Sequence, residues 1–296
     1  VRMCGVTVRI RELPGNRVMA YHHALVGGRA GELLRAVAEA GGVACDVMLV
    51  PSVERGGATD VATTGFAAAR GAQCQRVPGV RSPYVPTTGT WEGYLATRSA
   101  NFRQNLKRKR KALAAHGDLT ERFFAREDEV AELIGLIGQV ERASWKVGAG
   151  MAISESTQEQ RYYAALLPWL ARKQALCANV LFVGGQAVAY SLSYRWRGRI
   201  AQMKTSFDER VSAATPGLTV NATAIRHAFE SGAVEFDFLG DVMPHKMHWT
   251  DQVRVHDNLY VFLPTRRGRL VGLAKSLIHR LRPHRQVETV GRGGHR

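Results

Sequence analysis

The chain contains 296 residues, and its 45% hydrophobic and 22% charged residues exclude disorder over its whole length. Its 41 lysines and arginines against 25 acidic residues give a formal net charge of +16 at pH 7. This excess favours an anionic partner, such as a nucleic acid, an anionic cofactor or an anionic surface, and disfavours a strongly cationic substrate.

The first 80 residues alternate between short strands and helices, as in a βαβ arrangement. The pattern predicts strands at Val6–Ile10, Ala44–Val50 and Cys74–Val77, and helices at Ala30–Ala40 and Asp60–Arg70. The next stretch, Val77–Gly89, holds three prolines and two glycines. We therefore expect a linker there.

The middle of the chain has the apolar spacing of amphipathic helices. Helices are predicted at Trp91–Gly117, Glu127–Trp145 and Ser156–Lys173, with a short strand that ends at Phe123-Phe124. The first of these helices carries a basic run, whose members are Arg103, Lys107, Arg108, Lys109, Arg110 and Lys111. Such a run is typical of either a solvated helix face or a polyanion contact.

From residue 178 the pattern changes to alternating strands. The predicted strands are Ala178–Val183, Gln186–Trp196, Arg199–Ser206, Val234–Leu239 and Asn258–Phe262. Gly184-Gly185 indicates a hairpin between the first two strands. A helix is expected at Leu218–Ser231 and an irregular loop at Gly240–Asp251, and the basic tail after Pro264 holds a short helix near Leu270–Leu281.

Membrane and redox signals are weak. The longest apolar runs fall short of the roughly eighteen residues that a spanning helix needs, and the first residues lack the apolar core of a signal peptide. Cys4, Cys45, Cys74 and Cys177 are far apart and form no CxxC pair, so neither a zinc site nor a disulfide framework is predicted. We expect reduced thiols in a cytoplasmic protein.

The most specific pattern lies between Thr205 and Asp251. It contains Phe207-Asp208 at a strand end, Pro216-Gly217 opening a helix, Phe236-Asp237-Phe238 on a strand, Gly240-Asp241, and Lys246 with Trp249 three residues on. This order resembles the signature of the cellulose-biosynthesis-type (CelD-like) GNAT acetyltransferases. Those enzymes are in turn similar to the Fem family of aminoacyl-tRNA-dependent peptidyltransferases. The resemblance extends over about Tyr84–Phe262.

The resemblance implies an α/β fold of the GNAT type with tandem GNAT-like halves, the first of them shortened. We expect residues 1–83 to form the reduced N-terminal half, residues 84–264 a complete acyltransferase domain and residues 265–296 a basic tail.

The resemblance also implies an enzyme that forms an amide bond. A neutral amine attacks an activated carbonyl, and the resulting oxyanion must be stabilised. Lys246 is expected to stabilise that oxyanion or the leaving ribose oxygen, and Asp237 to accept the proton of the amine or to orient the acceptor. A solvated loop lysine and a structurally paired carboxylate remain open alternatives. No serine or cysteine lies in a nucleophile motif, so transfer without a covalent enzyme intermediate is expected.

Further residues are assigned by the same resemblance. The predicted acceptor site comprises Trp145, Arg142, Lys204, Asp241, His248 and Trp249, and the predicted donor site comprises Pro216, Gly217, Arg103, Lys107, Arg108, Arg110 and Lys111. Trp145 equally suits a buried helix anchor. His245 and His248 lack a third ligand at useful spacing, so no metal is predicted.

The donor is predicted from charge and from a missing loop. Ordinary GNAT enzymes cradle the pyrophosphate of coenzyme A in a glycine-rich loop, whereas the matching stretch here, VSAATPGLTV, holds one glycine. With the +16 charge, this favours aminoacyl-tRNA as the donor and a small-molecule or peptide amine as the acceptor, with no resident cofactor. Two alternatives stay open, an acyl-CoA-dependent N-acetyltransferase and a non-catalytic RNA- or membrane-surface-binding protein on a GNAT scaffold.

Overall fold

The structure is a computed structural model that describes residues 1–13, 29–40, 45–150 and 152–281, with backbone only for 279–281. Two compact units are present: one holds Val1–Val80 and the chain from Val255 onward, the other holds Arg81–Arg254. The sequence placed residues 255–264 in the second domain and 265–296 in a separate tail, whereas the compact units group the chain from Val255 with the first unit. The difference arises because both unit boundaries fall inside strands, where no loop signal marks them.

The elements are numbered along the chain. The strands are β1 (Arg2–Met3), β2 (Val6–Thr7), β3 (Ile10–Glu12), β4 (Val47–Glu54), β5 (Gln73–Pro86), β6 (Leu119–Phe124), β7 (Leu176–Val183), β8 (Gln186–Trp196), β9 (Arg199–Phe207), β10 (Glu235–Asp237) and β11 (Val253–Phe262). The helices are α1 (Ala30–Glu39), α2 (Ala58–Ala69), α3 (Trp91–Thr97), α4 (Ala100–Ala114), α5 (Val130–Arg142), α6 (Thr157–Arg172), α7 (Pro216–Glu230), α8 (Pro244–Met247) and α9 (Arg266–Leu281). Within the described ranges, no helix is both long and apolar enough to cross a membrane.

The first unit contains a sheet in the order β3-β4-β11-β5. Strands β3 and β4 are parallel and β4 pairs with β11 antiparallel. Leu34 of α1 and Met48 and Leu259 of the sheet are fully buried in one apolar cluster. The parallel pair on either side of α1 confirms the predicted βαβ alternation. The start of the predicted strand Ala44–Val50 lies outside the described residues.

The second unit contains a sheet in the order β5-β10-β9-β8-β7-β6. Strands β6 to β9 form an antiparallel meander, and the β7–β8 hairpin turns at Gly184 and Gly185, whose φ angles of +55° and +78° suit glycine. Helix α7 then returns the chain to β10, which lies parallel to β9. The predicted hairpin and the predicted α/β class are therefore confirmed.

The predicted linker Val77–Gly89 is wrong, because most of it belongs to strand β5. A proline has no backbone N–H to donate, but its carbonyl can still accept a hydrogen bond. The carbonyl of Pro83 does so, since Phe238 N donates to it over 3.1 Å. Val85 pairs with Phe236 and is fully buried. Burial therefore holds an extended chain where composition indicated a loop.

The long predicted helix Trp91–Gly117 is two helices. The chain breaks at Arg98 and Ser99, and the Ser99 hydroxyl accepts from Phe102 N over 3.1 Å as the N-cap of α4. The predicted helix Glu127–Trp145 ends at Arg142, so Trp145 lies beyond it, and α9 begins at Arg266 rather than near Leu270. In the predicted irregular loop Gly240–Asp251, the structure forms the short helix α8.

A buried ion cluster closes one side of the second unit. Arg254 donates to Asp237 over 2.6 Å and to Glu235 over 2.7 Å, and its guanidinium lies 4.4 Å from the ring centroid of Tyr84. All three charged groups are buried. Two carboxylates at this depth are tolerable because one bidentate cation pairs with both of them.

Replacing Arg254 with methionine should lower the free energy of unfolding by about 3–5 kcal/mol, because the buried Asp237 loses this cation and the buried Glu235 keeps only the partly exposed Arg199, at 3.3 Å. Urea denaturation at pH 7 measures the loss. Arg226→Met is the matched control, since Arg226 pairs with Glu230 on an exposed helix face and should cost about 0–1 kcal/mol. Equal losses in both variants would contradict the importance of the buried cluster.

Candidate functional site

The candidate site begins where two parallel strands part. Strand β10 pairs with β9 only at Arg199, Ile200 and Ala201. Strand β9 runs on to Phe207, whereas β10 ends at Asp237. The parting leaves backbone groups of β9 accessible from the side that β10 has vacated, which is the geometry that a GNAT fold offers to an acyl donor.

A cavity of about 810 Å³ opens beside this divergence. Its walls come from four stretches of the second unit: helix α4, the corner after α5, the end of β9 with the start of α7, and the loop after β10. The lining residues are Ser99, Asn101, Phe102, Asn105, Arg108, Trp145, Lys146, Thr205, Ser206, Phe207, Thr215, Gly217, Leu218, Asn221, Met243, His245, His248 and Trp249. The volume is large enough for a ligand of several functional groups.

The start of α7 differs from a glycine-rich phosphate loop. Residues Glu209–Ala214 form a 3-10 helix, whose first turn is capped by the Asp208 carboxylate through Arg210 N at 2.8 Å. Thr215 then takes a left-handed conformation with φ of +53°, and Pro216 occupies the first turn of α7. A Cβ at Gly217 would lie 3.4 Å from the Phe207 ring, which is an ordinary van der Waals contact.

Lys146 is a functional candidate to which the sequence assigned no role, although it lies in the helix corner that the resemblance placed at the acceptor pocket. It lines the cavity with 8% of its surface exposed, and its Nζ donates to the Thr205 carbonyl over 2.5 Å. Burial, and secondarily the charge of Lys204, lower the pKa of Lys146 to about 8. A lysine with this pKa supplies a substantial neutral fraction near pH 8, which is the form that accepts a proton.

The groups behind Lys146 form a buried polar cluster. The fully buried Glu141 accepts from the Tyr190 hydroxyl and from Ile153 N, both over 2.6 Å. Lys204 Nζ lies 2.8 Å from Glu159 and 3.7 Å from Glu141. Lys204 is therefore held below the cavity lining, although the sequence placed it in the acceptor site. Its positive charge acts on Lys146 instead.

Lys246 and Asp237 also lie outside the cavity lining. Lys246 Nζ donates to Leu239 O over 2.5 Å and to Asp241 O over 3.2 Å, and burial lowers its pKa to about 8. Asp237 accepts from Ser82 Oγ and Leu239 N, each over 2.8 Å, besides its contact with Arg254. These contacts shape the turn after β10. The catalytic roles of Lys246 and Asp237 stay predictions.

Among the described residues, the structure brings five of the other predicted site residues to the cavity: Trp145, His248, Trp249, Gly217 and Arg108. The lining does not include Arg142, Lys204, Asp241, Pro216, Arg103, Lys107, Arg110 or Lys111. Arg103 instead donates to the carbonyls of Ala96 and Arg98, each over 2.9 Å, and so fixes the corner before α4.

The two tryptophans of the lining differ. Trp145 is half exposed, which excludes the alternative of a buried anchor. Trp249 is buried, meets Phe102 edge-on at 4.9 Å and accepts from the Tyr94 hydroxyl at its carbonyl over 2.5 Å. Near it, burial and the charges of Lys246 and His248 lower the pKa of His245. His245 is therefore a neutral imidazole at pH 7, able to donate or accept a hydrogen bond.

The fold and the site together define an acyltransferase of the GNAT fold. Residues 100–247, half of the chain, match the family described as "Acetyltransferase (GNAT) domain", and the chain belongs to this family. The predicted fold type and the predicted transferase class are confirmed. No curated protein sequence matches the chain significantly.

Solved structures support the fold. The C-terminal domain (DUF2156) of an Agrobacterium fabrum protein assigned as a lysylphosphatidylglycerol synthetase is similar at 14% identity with a TM-score of 0.53, over 85% of this chain and 76% of that one. A Bacteroides thetaiotaomicron protein of unknown function is similar at 11% identity with a TM-score of 0.54, over 80% and 76%. FemX gives 12% identity over 85% and 81%, with a TM-score of 0.46 that supports no functional inference.

The lowered pKa of Lys146 predicts a stability change in alkali. Between about pH 8 and 10.5, the folded chain holds Lys146 neutral while the unfolded chain binds its proton, so the free energy of unfolding gains a contribution that rises with pH. Lys146→Met should remove this rise, on the order of 3 kcal/mol across the window. Urea denaturation of both proteins at several pH values measures the difference, and a constant difference would contradict the shift.

Proposed function

We propose that the enzyme transfers an aminoacyl group from aminoacyl-tRNA to the amine of a small molecule or peptide and forms an amide bond. The proposal rests on the position of the cationic helix α4. Its residue Arg108 lies in the wall of the cavity beside the point where β9 and β10 diverge. A donor as large and as anionic as tRNA needs positive charge outside the pocket as well as at its entrance.

Helix α4 meets that need. Its sequence, ANFRQNLKRKRKALA, contains six basic residues and no acidic one. Lys107, Arg108, Arg110 and Lys111 are exposed. Lys107 and Lys111 form no ion pair with any residue in the described ranges. The only acidic neighbour of Arg110 there is Glu121, at 4.0 Å. The charge of the helix is therefore available to a polyanion.

The segment before α7 supports the same donor. A coenzyme A pyrophosphate is held by consecutive backbone N–H groups of a glycine-rich loop. Here the 3-10 helix Glu209–Ala214 occupies that segment, and its side chains include the acidic Glu209. Because a 3-10 helix replaces the glycine-rich loop, this segment is poorly suited to bind phosphates. We therefore favour a donor whose phosphates bind elsewhere, along α4.

The reaction needs a base and a stabilised oxyanion. In the proposed step, the acceptor nitrogen forms a bond to the ester carbonyl and the C–O bond to the ribose breaks. Lys146 accepts the proton that the amine loses and returns it to the ribose oxygen, which leaves as a hydroxyl. We retain Lys246, whose Nζ lies behind the loop after β10, as the proposed stabiliser of the oxyanion.

A coenzyme A thioester is the second candidate donor. The specific observation in its favour is that α7 opens on the cavity at Gly217, so the free N–H groups of a helix start face the ligand space. The family description also names an acetyl group. The two donors share the amide-forming step and differ in the size and charge of the leaving group.

The donor assay uses the purified full chain with charged tRNA and, separately, with acetyl-CoA, across a panel of amines. Transfer from charged tRNA that RNase abolishes is the expected result. Transfer from acetyl-CoA that is indifferent to RNase would overturn the tRNA proposal and leave the acyltransferase intact. Turnover with neither donor, together with tight tRNA binding, would instead support an RNA-binding protein.

The charge of α4 predicts a salt dependence. In the variant Lys107→Gln/Arg108→Gln/Lys111→Gln, the slope of log affinity for tRNA against log salt should fall by about 0.7–0.9 for each phosphate that the variant no longer neutralises. Filter binding between low and moderate salt measures the slope. The control Arg161→Gln/Arg172→Gln/Lys173→Gln removes the same charge from exposed positions on and after α6, and should leave the slope nearly unchanged.

The two lysines of lowered pKa are separable by kinetics. With saturating donor and acceptor, the parent kcat should peak near pH 8, since Lys146 acts neutral and Lys246 acts charged. Lys146→Met should lower kcat by about 10²-fold or more, because a general base is lost, and should remove the rise on the acid side of the peak. Lys246→Met should lower kcat by about 10²–10³-fold, keep that rise and remove the fall on the alkaline side. A Lys146→Met enzyme with full kcat would exclude the role as base, and a fully active Lys246→Met enzyme would exclude the predicted oxyanion role.

A further inference from the structure

One face of helix α9 is fixed against the first unit. Val271 is fully buried, and a Cβ at Gly268 would lie 2.7 Å from Asp46 O, closer than real side chains approach. A Cβ at Gly272 would lie 2.7 Å from Gln73 Oε1. Gly268 and Gly272 let the backbone of α9 pack closely against the rest of the first unit, whereas larger residues at these positions would clash. The orientation of α9 about its axis is thereby set.

The opposite face of α9 exposes large apolar side chains. Leu270, Leu273 and Leu277 are 57%, 70% and 60% exposed, and Ile278 is 41% exposed. The spacing of three and four residues aligns the three leucines in one stripe. Leucine is ordinarily buried, and a contiguous stripe of this kind marks an interaction surface rather than scattered exposure.

Positive charge surrounds the leucine stripe. The sequence of α9 holds Arg266, Arg267, Arg269, Lys275 and Arg280 and no acidic residue. In the part of the chain that the structure describes, Arg266, Arg267 and Arg269 form no ion pair. Exposed leucines between unpaired arginines match the two layers of an anionic lipid surface, which are an apolar acyl region beneath negatively charged headgroups.

We propose that the outer face of α9 docks the protein on an anionic lipid membrane, with the helix lying in the plane of the interface. Two other occupants fit less well. An RNA would pair with the arginines and gain little from the leucines, because its affinity comes mostly from phosphate contacts. A second copy of the helix would bring like charges together around the stripe. The proposal is independent of which acyl donor the enzyme uses.

The test measures partitioning of the full chain onto sedimented vesicles of phosphatidylcholine with and without phosphatidylglycerol. Binding should require phosphatidylglycerol. The variant Leu270→Ser/Leu273→Ser/Leu277→Ser should weaken binding by about a thousandfold, since each of the three leucine side chains contributes about tenfold when it is buried in the membrane. The control Leu33→Ser/Val61→Ser changes exposed apolar residues on α1 and α2 and should bind as the parent does.

A second variant tests the proposal if the serine variant unfolds, as judged by loss of its far-UV circular dichroism signal. Arg266→Gln/Arg267→Gln/Arg269→Gln changes exposed side chains only and should weaken binding about fivefold per arginine. The proposal is overturned if the parent protein does not bind phosphatidylglycerol vesicles. It is equally overturned if the triple leucine-to-serine variant is folded and partitions as the parent does. It is also overturned if the leucine substitutions leave partitioning intact and instead weaken tRNA binding or dissociate a dimer.

Discussion

The candidate site depends on how the chain is turned at the end of β10. Asp237 ends the strand by accepting from Leu239 N and Ser82 Oγ, while Arg254 neutralises its charge. Lys246 then holds the carbonyls of Leu239 and Asp241 from inside the turn. Because these bonds direct the chain away from β9, the two parallel strands part after three pairs. The cavity exists because that parting is enforced by buried polar contacts.

Lys246 and Asp237 were predicted from the family resemblance, which does not show these contacts. A buried, fully bonded carboxylate and a lysine with desolvated nitrogen are residue types that catalysis also uses, so residue type alone does not distinguish the two roles. For Lys146 the situation is the opposite: the structure indicates a functional position for which the sequence predicted no role. Its position follows a helix end and carries no periodic signal, and its depth beside Thr205 and Lys204 emerges only from the packing of α5 against the sheet.

Elements with strong local signals could be predicted from sequence. The β7–β8 hairpin follows from two adjacent glycines, and the start of α7 from Pro216. Elements whose conformation depends on residues distant in the sequence could not be predicted in this way. Strand β5 runs through three prolines, and the carbonyl of one of them, Pro83, accepts from Phe238 N just after β10. Helices α3 and α4 separate at Ser99 because a serine cap outweighs a continuous apolar pattern. The basic run of α4 was visible as charge, but the sequence did not show that Arg108 alone of its members would line the cavity.

The walls of the cavity are far apart along the chain, and this has a consequence for how the enzyme acquires its site. Tyr94 and the Trp249 carbonyl bond across 155 residues, and Thr250 bonds to Tyr84 O across 166. Contacts of such high sequence separation form late, because a long loop must close before they contribute any stability. The meander β6–β9 lies wholly before residue 249 in the chain, whereas Trp249 is part of the cavity wall. The cavity is therefore incomplete until the chain through Trp249 has been synthesised and packed.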